Sequence, residues 1–181
     1  MKLIFASDIH GSAYYCAKLL EQYQNEQADK LILLGDILYH GPRNALPKEY
    51  APMEVAQMLN AHKQEILCVR GNCDAEVDQM VLEFPIMADY AVLSLGDRMA
   101  YITHGHIHNS GNLPMMRPQD LLIHGHTHVQ ALQQNEDHMY INPGSVSIPK
   151  EDNVASYMVY EDGKFVIKAV ETGETVKELT L

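Results

Sequence analysis

The sequence predicts an α/β fold: two β-sheets laid face to face as a sandwich, with helices flanking it. Three observations predict it. Residues 2–69 alternate short apolar runs with amphipathic stretches in the order strand, helix, strand, helix, strand, the pattern of a parallel sheet. The second half holds paired runs around tight turns, which read as hairpins of a second, mixed sheet packed on the first. The C-terminal quarter holds no helical pattern at all.

Each element follows from its residues. Residues 2–7 form a short buried strand that stops at Asp8-Ile9-His10-Gly11. Ser12 is placed to cap a helix running to about Gln27, in which Ala17, Leu19, Leu20 and Tyr23 fall near helical spacing. Residues 31–34 are a second apolar run, ending at Gly35-Asp36. A loop with Gly41, Pro42 and Pro47 follows, and Pro52 suits the first turn of a helix to about His62. Residues 65–69 are a third strand, ending at Gly71-Asn72-Cys73-Asp74. Beyond it, runs 91–95 and 99–103 flank the turn Gly96-Asp97. Residues 121–123 are one more short strand. Runs 129–134 and 138–142 pair as a hairpin, as do 155–160 and 165–170 around Asp162-Gly163.

With 181 residues, no internal repeat and no linker, the chain reads as one domain over 1–181. A composition 46% hydrophobic and 20% charged supports a packed core and excludes a disordered or low-complexity chain. Thirteen Lys and Arg against 24 Asp and Glu give a net charge of -11, which disfavours coating nucleic acid or anionic lipid. A small anionic substrate stays compatible, because bound cations can outweigh local carboxylates. Cys16, Cys68 and Cys73 make an odd count, so no disulfide framework is expected. The N-terminal apolar run is too short for a signal peptide, and no run is long enough to span a membrane. A reducing compartment, the cytoplasm, is expected.

Five polar clusters each follow an apolar run directly: Asp8-Ile9-His10, Gly35-Asp36, Gly71-Asn72-Cys73-Asp74, His104-Gly105-His106 and Gly125-His126-Thr127-His128. Ligands of open α/β sheets bind outside the carboxyl ends of the strands, so five clusters there converge on one crevice. Asp8 and His10 are two apart, as are His126 and His128; in extended chain such residues point the same way. Carboxylates, imidazoles and the Asn72 amide suit manganese, iron or zinc better than a thiolate site would. Asp8, His10, Asp36, Asn72, His104, His126 and His128 are too many for one tetrahedral ion. They suit two ions about 3.5–4 Å apart.

This series of Asp-x-His, Gly-Asp, Gly-Asn-x-Asp, His-Gly-His and Gly-His-x-His resembles the calcineurin-like metallophosphoesterase family, over residues 8–128. Asn142-Pro143-Gly144-Ser145 and the modest length point to its small phosphodiesterase subgroup. The resemblance implies that Asp8, His10 and His128 hold one metal, that Asn72, His104 and His126 hold another, and that Asp36 bridges both. It implies an αββα sandwich and a metal-dependent phosphodiesterase that uses a metal-bridging hydroxide at a dinuclear site. The cofactors would be two divalent ions, manganese foremost, with zinc, iron or nickel as the others. Two such ions, two aspartates and a hydroxide leave one positive charge, which awaits a phosphate ester. The partner would be a small phosphodiester, with no stable nucleic-acid binding and no membrane; the open sheet edges could also pair with a second copy.

Residues beside the ligands divide by context. Asn72 would stabilise charge on the non-bridging oxygens. Arg43, in His40-Gly41-Pro42-Arg43-Asn44, could reach a phosphate bidentately. His106 could contact substrate, whereas His108 is expected to face water. His124 could support His126 from behind. Asp74 could orient a ligand or cap a turn, and Cys16 and Cys68 read as buried fillers. In most relatives of the family the third motif resembles Gly-Asn-His-Asp or Gly-Asn-His-Glu, and the resemblance implies that this histidine contacts the phosphate or protonates the leaving group. This chain has Cys73 there. Cys73 is therefore the residue expected to favour diesters over monoesters.

Three rival readings exist. A metallo-β-lactamase-type signature, His-x-His-x-Asp-His, fails because His104-Gly105-His106-Ile107-His108-Asn109 lacks its Asp and fourth His. A metal-poor protein-interaction scaffold of the same fold would have no reason to keep seven competent donors. A phosphomonoesterase is the third.

Overall fold

The computed structural model describes residues 1–181. Six strands form the first sheet. They are β1 (Leu3–Ala6), β2 (Lys30–Leu33), β3 (Ile66–Cys68), β9 (Ser156–Glu161), β10 (Lys164–Ala169) and β11 (Thr175–Thr180), in the order β11-β10-β9-β1-β2-β3. Five form the second: β4 (Tyr90–Leu95), β5 (Arg98–Thr103), β6 (Leu121–Ile123), β7 (Ala131–Gln134) and β8 (Met139–Asn142), in the order β4-β5-β6-β8-β7. Helices α1 (Ala13–Asn25), α2 (Pro52–Asn60) and the single turn α3 (Glu76–Gln79) follow the first three strands.

Alternation along β1 explains the layering. Ile4 and Ala6 belong to a core shared with Cys16, Leu19 and Leu20 of α1 and Val55 and Leu59 of α2. Leu3 and Phe5 point the other way, into a core shared with Ala100, Ile102, Leu121 and Ile123 of the second sheet. A strand buried on both faces needs an unbroken apolar run, which is what the sequence shows there. Ser12 caps α1 as expected: its hydroxyl accepts from the Tyr15 amide and donates to the Lys48 carbonyl.

Two parts of the sequence reading need correction. The hairpin of β9 and β10 does not enlarge the second sheet. β9 runs antiparallel to β1 in the first, and Ser156, Tyr157, Met158, Val159 and Tyr160 are all buried, as the neighbour of a central strand must be. β11 then adds an edge that was not anticipated, because Thr175, Val176, Lys177 and Glu178 are all exposed and carry no alternation.

Within the first sheet β1, β2 and β3 are parallel, and within the second β5, β6 and β8 are parallel. Their carboxyl ends deliver Asp8, Asp36, Asn72, His104, His126 and Asn142 to one end of the sandwich.

Candidate metal centre

The seven donors meet in two overlapping groups. Asp8 Oδ1 lies 3.2 Å from His128 Nε2 and 3.6 Å from His10 Nε2. His104 Nε2 lies 3.1 Å from Asn72 Oδ1 and 3.2 Å from His126 Nδ1. Asp36 Oδ2 stands between them, 3.7 Å from His10 Nε2 and 3.4 Å from His104 Nε2.

Backbone carbonyls orient the rings. The Nδ1 atoms of His10, His104 and His128 face the carbonyls of Tyr39, Leu34 and Ile148 at 2.8, 2.7 and 2.6 Å. A carbonyl only accepts, so each Nδ1 carries a proton and each ring, once its Nε2 is deprotonated, turns that Nε2 lone pair inward. His10 Nε2 and His128 Nε2 then face each other at 3.3 Å, and buried Asp8 Oδ1 receives no hydrogen bond. Lone pairs aimed at one another with an orphaned carboxylate oxygen beside them fit divalent cations, the ligand orientation that metal-bound histidines show.

The backbone that presents these side chains is not extended. Asp8, His10, Asp36, His126 and His128 have φ of 59, 51, 57, 67 and 62°. Such left-handed values are uncommon in residues other than glycine and cost about 1–3 kcal/mol each. The i, i+2 pairs therefore share a face because tight left-handed turns aim them, which corrects the extended-chain reading.

Neighbours hold those turns. Ser145 and Ser147 donate to the Asp8 carbonyl at 2.8 and 3.1 Å, and Asn142 donates to the Gly125 carbonyl at 3.0 Å. The segment Asn142-Pro143-Gly144-Ser145 thus braces two donor loops at once. Asp74 accepts from the Gly71 and Asp36 amides, so it fixes a ligand turn. Gly71 has no room for a side chain: a Cβ there would lie 2.1 Å from Asp36 Oδ1.

The electrostatics follow. Burial works to raise the Asp8 carboxyl, but the adjacent imidazoles outweigh it and hold the group well below its usual range. Asp36 is likewise lowered against burial, chiefly by His104. Burial disfavours the charged His104 ring, yet Asp36 and Asp8 push it up to about 9. His126 is lowered by burial and by the charge of His104. Burial first, then Asp36, pushes the Cys73 thiol up to about 12, so it stays protonated.

His10, Asp36, Asn72, Cys73, His126 and His128 open on a cleft of about 400 Å3. Arg43 lines it too, as does Lys150, which the sequence reading did not single out; its only sequence signal is a position two residues past Ile148. His106 is not among the residues lining the cleft; its ring lies 5.3 Å from that of His104 and 6.3 Å from that of His126. His108 is half-buried and stands edge-on to Tyr90 instead of facing water. His124 stacks on Tyr140 at 4.5 Å, and burial lowers it to about 4, so it is a neutral ring filling space behind the donor loops.

Fold and donor set define a class: an α/β sandwich with a convergent oxygen and nitrogen ligand set at the ends of its parallel strands. Known proteins make the class specific. The model of the calcineurin-like phosphoesterase superfamily domain matches residues 1–163. Phosphodiesterase YfcE of Escherichia coli K12 is 44% identical over 181 residues, covering 100% of this chain and 98% of that one. A solved structure of YfcE, described as a phosphoesterase from E. coli, superposes with a TM-score of 0.96 at 43% identity, covering 99% of both chains. Vacuolar protein sorting 29 of Cryptosporidium parvum shares the fold alone, with a TM-score of 0.66 at 17% identity over 99% of this chain and 98% of that one. The chain belongs to the calcineurin-like phosphoesterase superfamily.

Proposed function

We propose that the protein is a metal-dependent phosphodiesterase acting on small phosphodiesters. The observation that carries it is the convergence of seven oxygen and nitrogen donors, three of them imidazoles whose Nδ1 is held outward by a backbone carbonyl so that Nε2 faces the others. The similarity to a phosphodiesterase over the whole chain supports the same reading.

Asp8, His10 and His128 would hold one divalent ion, Asn72, His104 and His126 a second, and Asp36 both. Manganese is the first choice. The bound ions would supply an activated water at neutral pH and offset charge on the phosphate. The protein does the rest. Asp36 couples the two halves. Asn72 turns Oδ1 to His104 and its amino group to Cys73 Sγ at 3.3 Å, so its orientation is fixed before substrate arrives. Cys73 offers a neutral thiol, Arg43 would contact the substrate from the cleft wall, and His106 would reach it only from beside His104.

The chain acts as one domain over 1–181, since both sheets contribute donors. Free thiols at Cys16, Cys68 and Cys73 support the cytoplasm as its compartment. No helix is long and apolar enough to cross a membrane. If a second copy docks, the β4 edge with exposed Tyr90 and Val92 is the strand it would meet.

The test is turnover of bis(4-nitrophenyl) phosphate against 4-nitrophenyl phosphate, with and without manganese, alongside metal analysis. The proposal expects two ions per chain and manganese-dependent diester cleavage that exceeds monoester cleavage. A protein that takes up no metal would support a scaffold, and a monoester preference would support a phosphomonoesterase.

A further inference from the structure

Most cations of this protein are engaged. Lys2, Lys18, Lys63, Lys164 and Lys168 pair with glutamates. Lys30, Arg70 and Lys177 donate to backbone carbonyls, and Lys48 lies over the Tyr14 ring. Arg43, Arg98, Arg117 and Lys150 have no such side-chain partner. Of these four, Arg43 and Lys150 both line the cleft that holds the metal donors, whereas Arg98 lies in a separate depression. A chain with a net charge of -11 thus leaves two free cations at one place.

Their backbones are anchored although their side chains are exposed. The Lys150 amide donates to the carbonyl of His128 at 3.1 Å, and its carbonyl accepts from Asn153 Nδ2 at 2.8 Å. Asn44 Nδ2 closes the other loop on the His40 carbonyl at 2.8 Å. That loop rests against Cys73: a Cβ on Gly41 would lie 3.4 Å from its Sγ. Both cations are therefore carried by segments tied to residues of the metal centre.

Charge balance says what they would meet. Two divalent ions held with Asp8 and Asp36 would, with one activated water as hydroxide, leave one positive charge, which a diester's single negative charge would offset. The charges of Arg43 and Lys150 are then left over, and a second phosphate of charge near minus two matches them. Pro42 is the one apolar residue of the lining, so nothing there grips an acyl chain.

We propose that Arg43 and Lys150 form a subsite for a second phosphate, so that the preferred substrates are compact phosphodiesters bearing an additional phosphomonoester. This rests on the phosphodiesterase reading and specifies its substrate class. Arg43 would bind in its forked geometry, Lys150 as a point charge.

Two chromogenic diesters with the same leaving group test it: thymidine 5′-(4-nitrophenyl phosphate) and its 3′-phosphorylated form. The wild type should show kcat/KM about tenfold higher for the 3′-phosphorylated ester, the worth of one charge-assisted hydrogen bond. Lys150→Ala and Lys150→Glu should pull that ratio toward one and below one, mainly through KM, while Lys150→Arg keeps it. A wild-type ratio of one, or an equal loss on both esters in Lys150→Ala, would overturn the proposal. Calorimetric binding of thymidine 3′,5′-bisphosphate against thymidine 5′-monophosphate, in manganese and in chelator, gives a readout independent of turnover. Tighter bisphosphate binding that weakens in Lys150→Ala is expected; equal affinities overturn the subsite. If no ester turns over, the hydrolase reading fails, and the binding comparison still decides the subsite.

Discussion

The carboxylate of Asp74 accepts a hydrogen bond from the amide of Asp36 at 2.8 Å, and further ones from Ile37 at 2.9 Å and Gly71 at 2.7 Å. Asp36 itself is in the left-handed region, at φ 57°. One buried side chain therefore holds the strained turn that carries the bridging candidate. Asp74→Ala would leave three amides without an acceptor and should cost roughly 3 kcal/mol in the metal-free protein. Asp74→Asn keeps one oxygen and should cost about half as much. Urea unfolding in chelator measures both; an alanine variant within about 0.5 kcal/mol of wild type would contradict the bracing role.

Asp36 Oδ1 accepts from the Cys73 amide at 2.8 Å, while Oδ2 faces His10 and His104. An asparagine can keep the first contact but brings no negative charge to the second. Asp36→Asn should thus fold, yet bind both metals weakly and lose more than about 100-fold in activity, beyond the 10–100-fold typical of residues that only orient ligands. Metal content and turnover are read together. Full metal occupancy with unchanged turnover would refute the bridge.

Much of this was legible in the sequence, and for one reason. A strand buried on both faces must be apolar throughout, so residues 2–7 and 31–34 announce a parallel sheet, and the polar residues that end them stand out. Asp8, Asp36, Asn72, His104 and His126 were visible in that way. Lys150 was not, because it is an ordinary exposed lysine until the fold hydrogen-bonds its amide to His128. Nor was β11 visible, since an exposed edge strand carries no apolar alternation. The left-handed backbone at five donors also left no trace: aspartate and histidine do not announce φ as glycine does.

In the metal-free protein, His104 is raised to about 9 by Asp36 and Asp8 against the opposing effect of burial. Its folded value exceeds the unfolded value near 6.5. The stability it contributes is thus complete below about pH 6.5 and is lost as pH rises through about 9. His124 works on the other limb: burial lowers it to about 4, so its contribution holds above pH 6.5 and is lost as pH falls toward 4. Thermal unfolding in chelator should show a maximum between those limbs. Binding requires His104 neutral, so manganese uptake at pH 7.5 should release a proton. Calorimetry in two buffers of different ionisation enthalpy detects it; identical heats would show that no proton leaves.

Cys73 stands in the third motif, Gly71-Asn72-Cys73-Asp74, where the family resemblance leads one to expect histidine, and its surroundings explain what a thiol does there. Burial and the adjacent Asp36 carboxylate push the thiol up to about 12, so at neutral pH it is an uncharged, weak donor. An imidazole in its place would gain charge beside Asp36 and could donate a proton to an alkoxide leaving group. A monoester carries up to two negative charges and usually a poor leaving group, so it has more to gain from that cation than a diester has. Cys73→His should therefore raise the ratio of monoester to diester turnover, measured on 4-nitrophenyl phosphate and bis(4-nitrophenyl) phosphate. Cys73→Ala removes only the weak donor and should leave that ratio low. The effect should grow as pH falls toward 6 and the new ring becomes charged. A ratio that stays put in both variants would mean that Cys73 merely fills space under Gly41 and that another group, His106 first, serves the leaving oxygen.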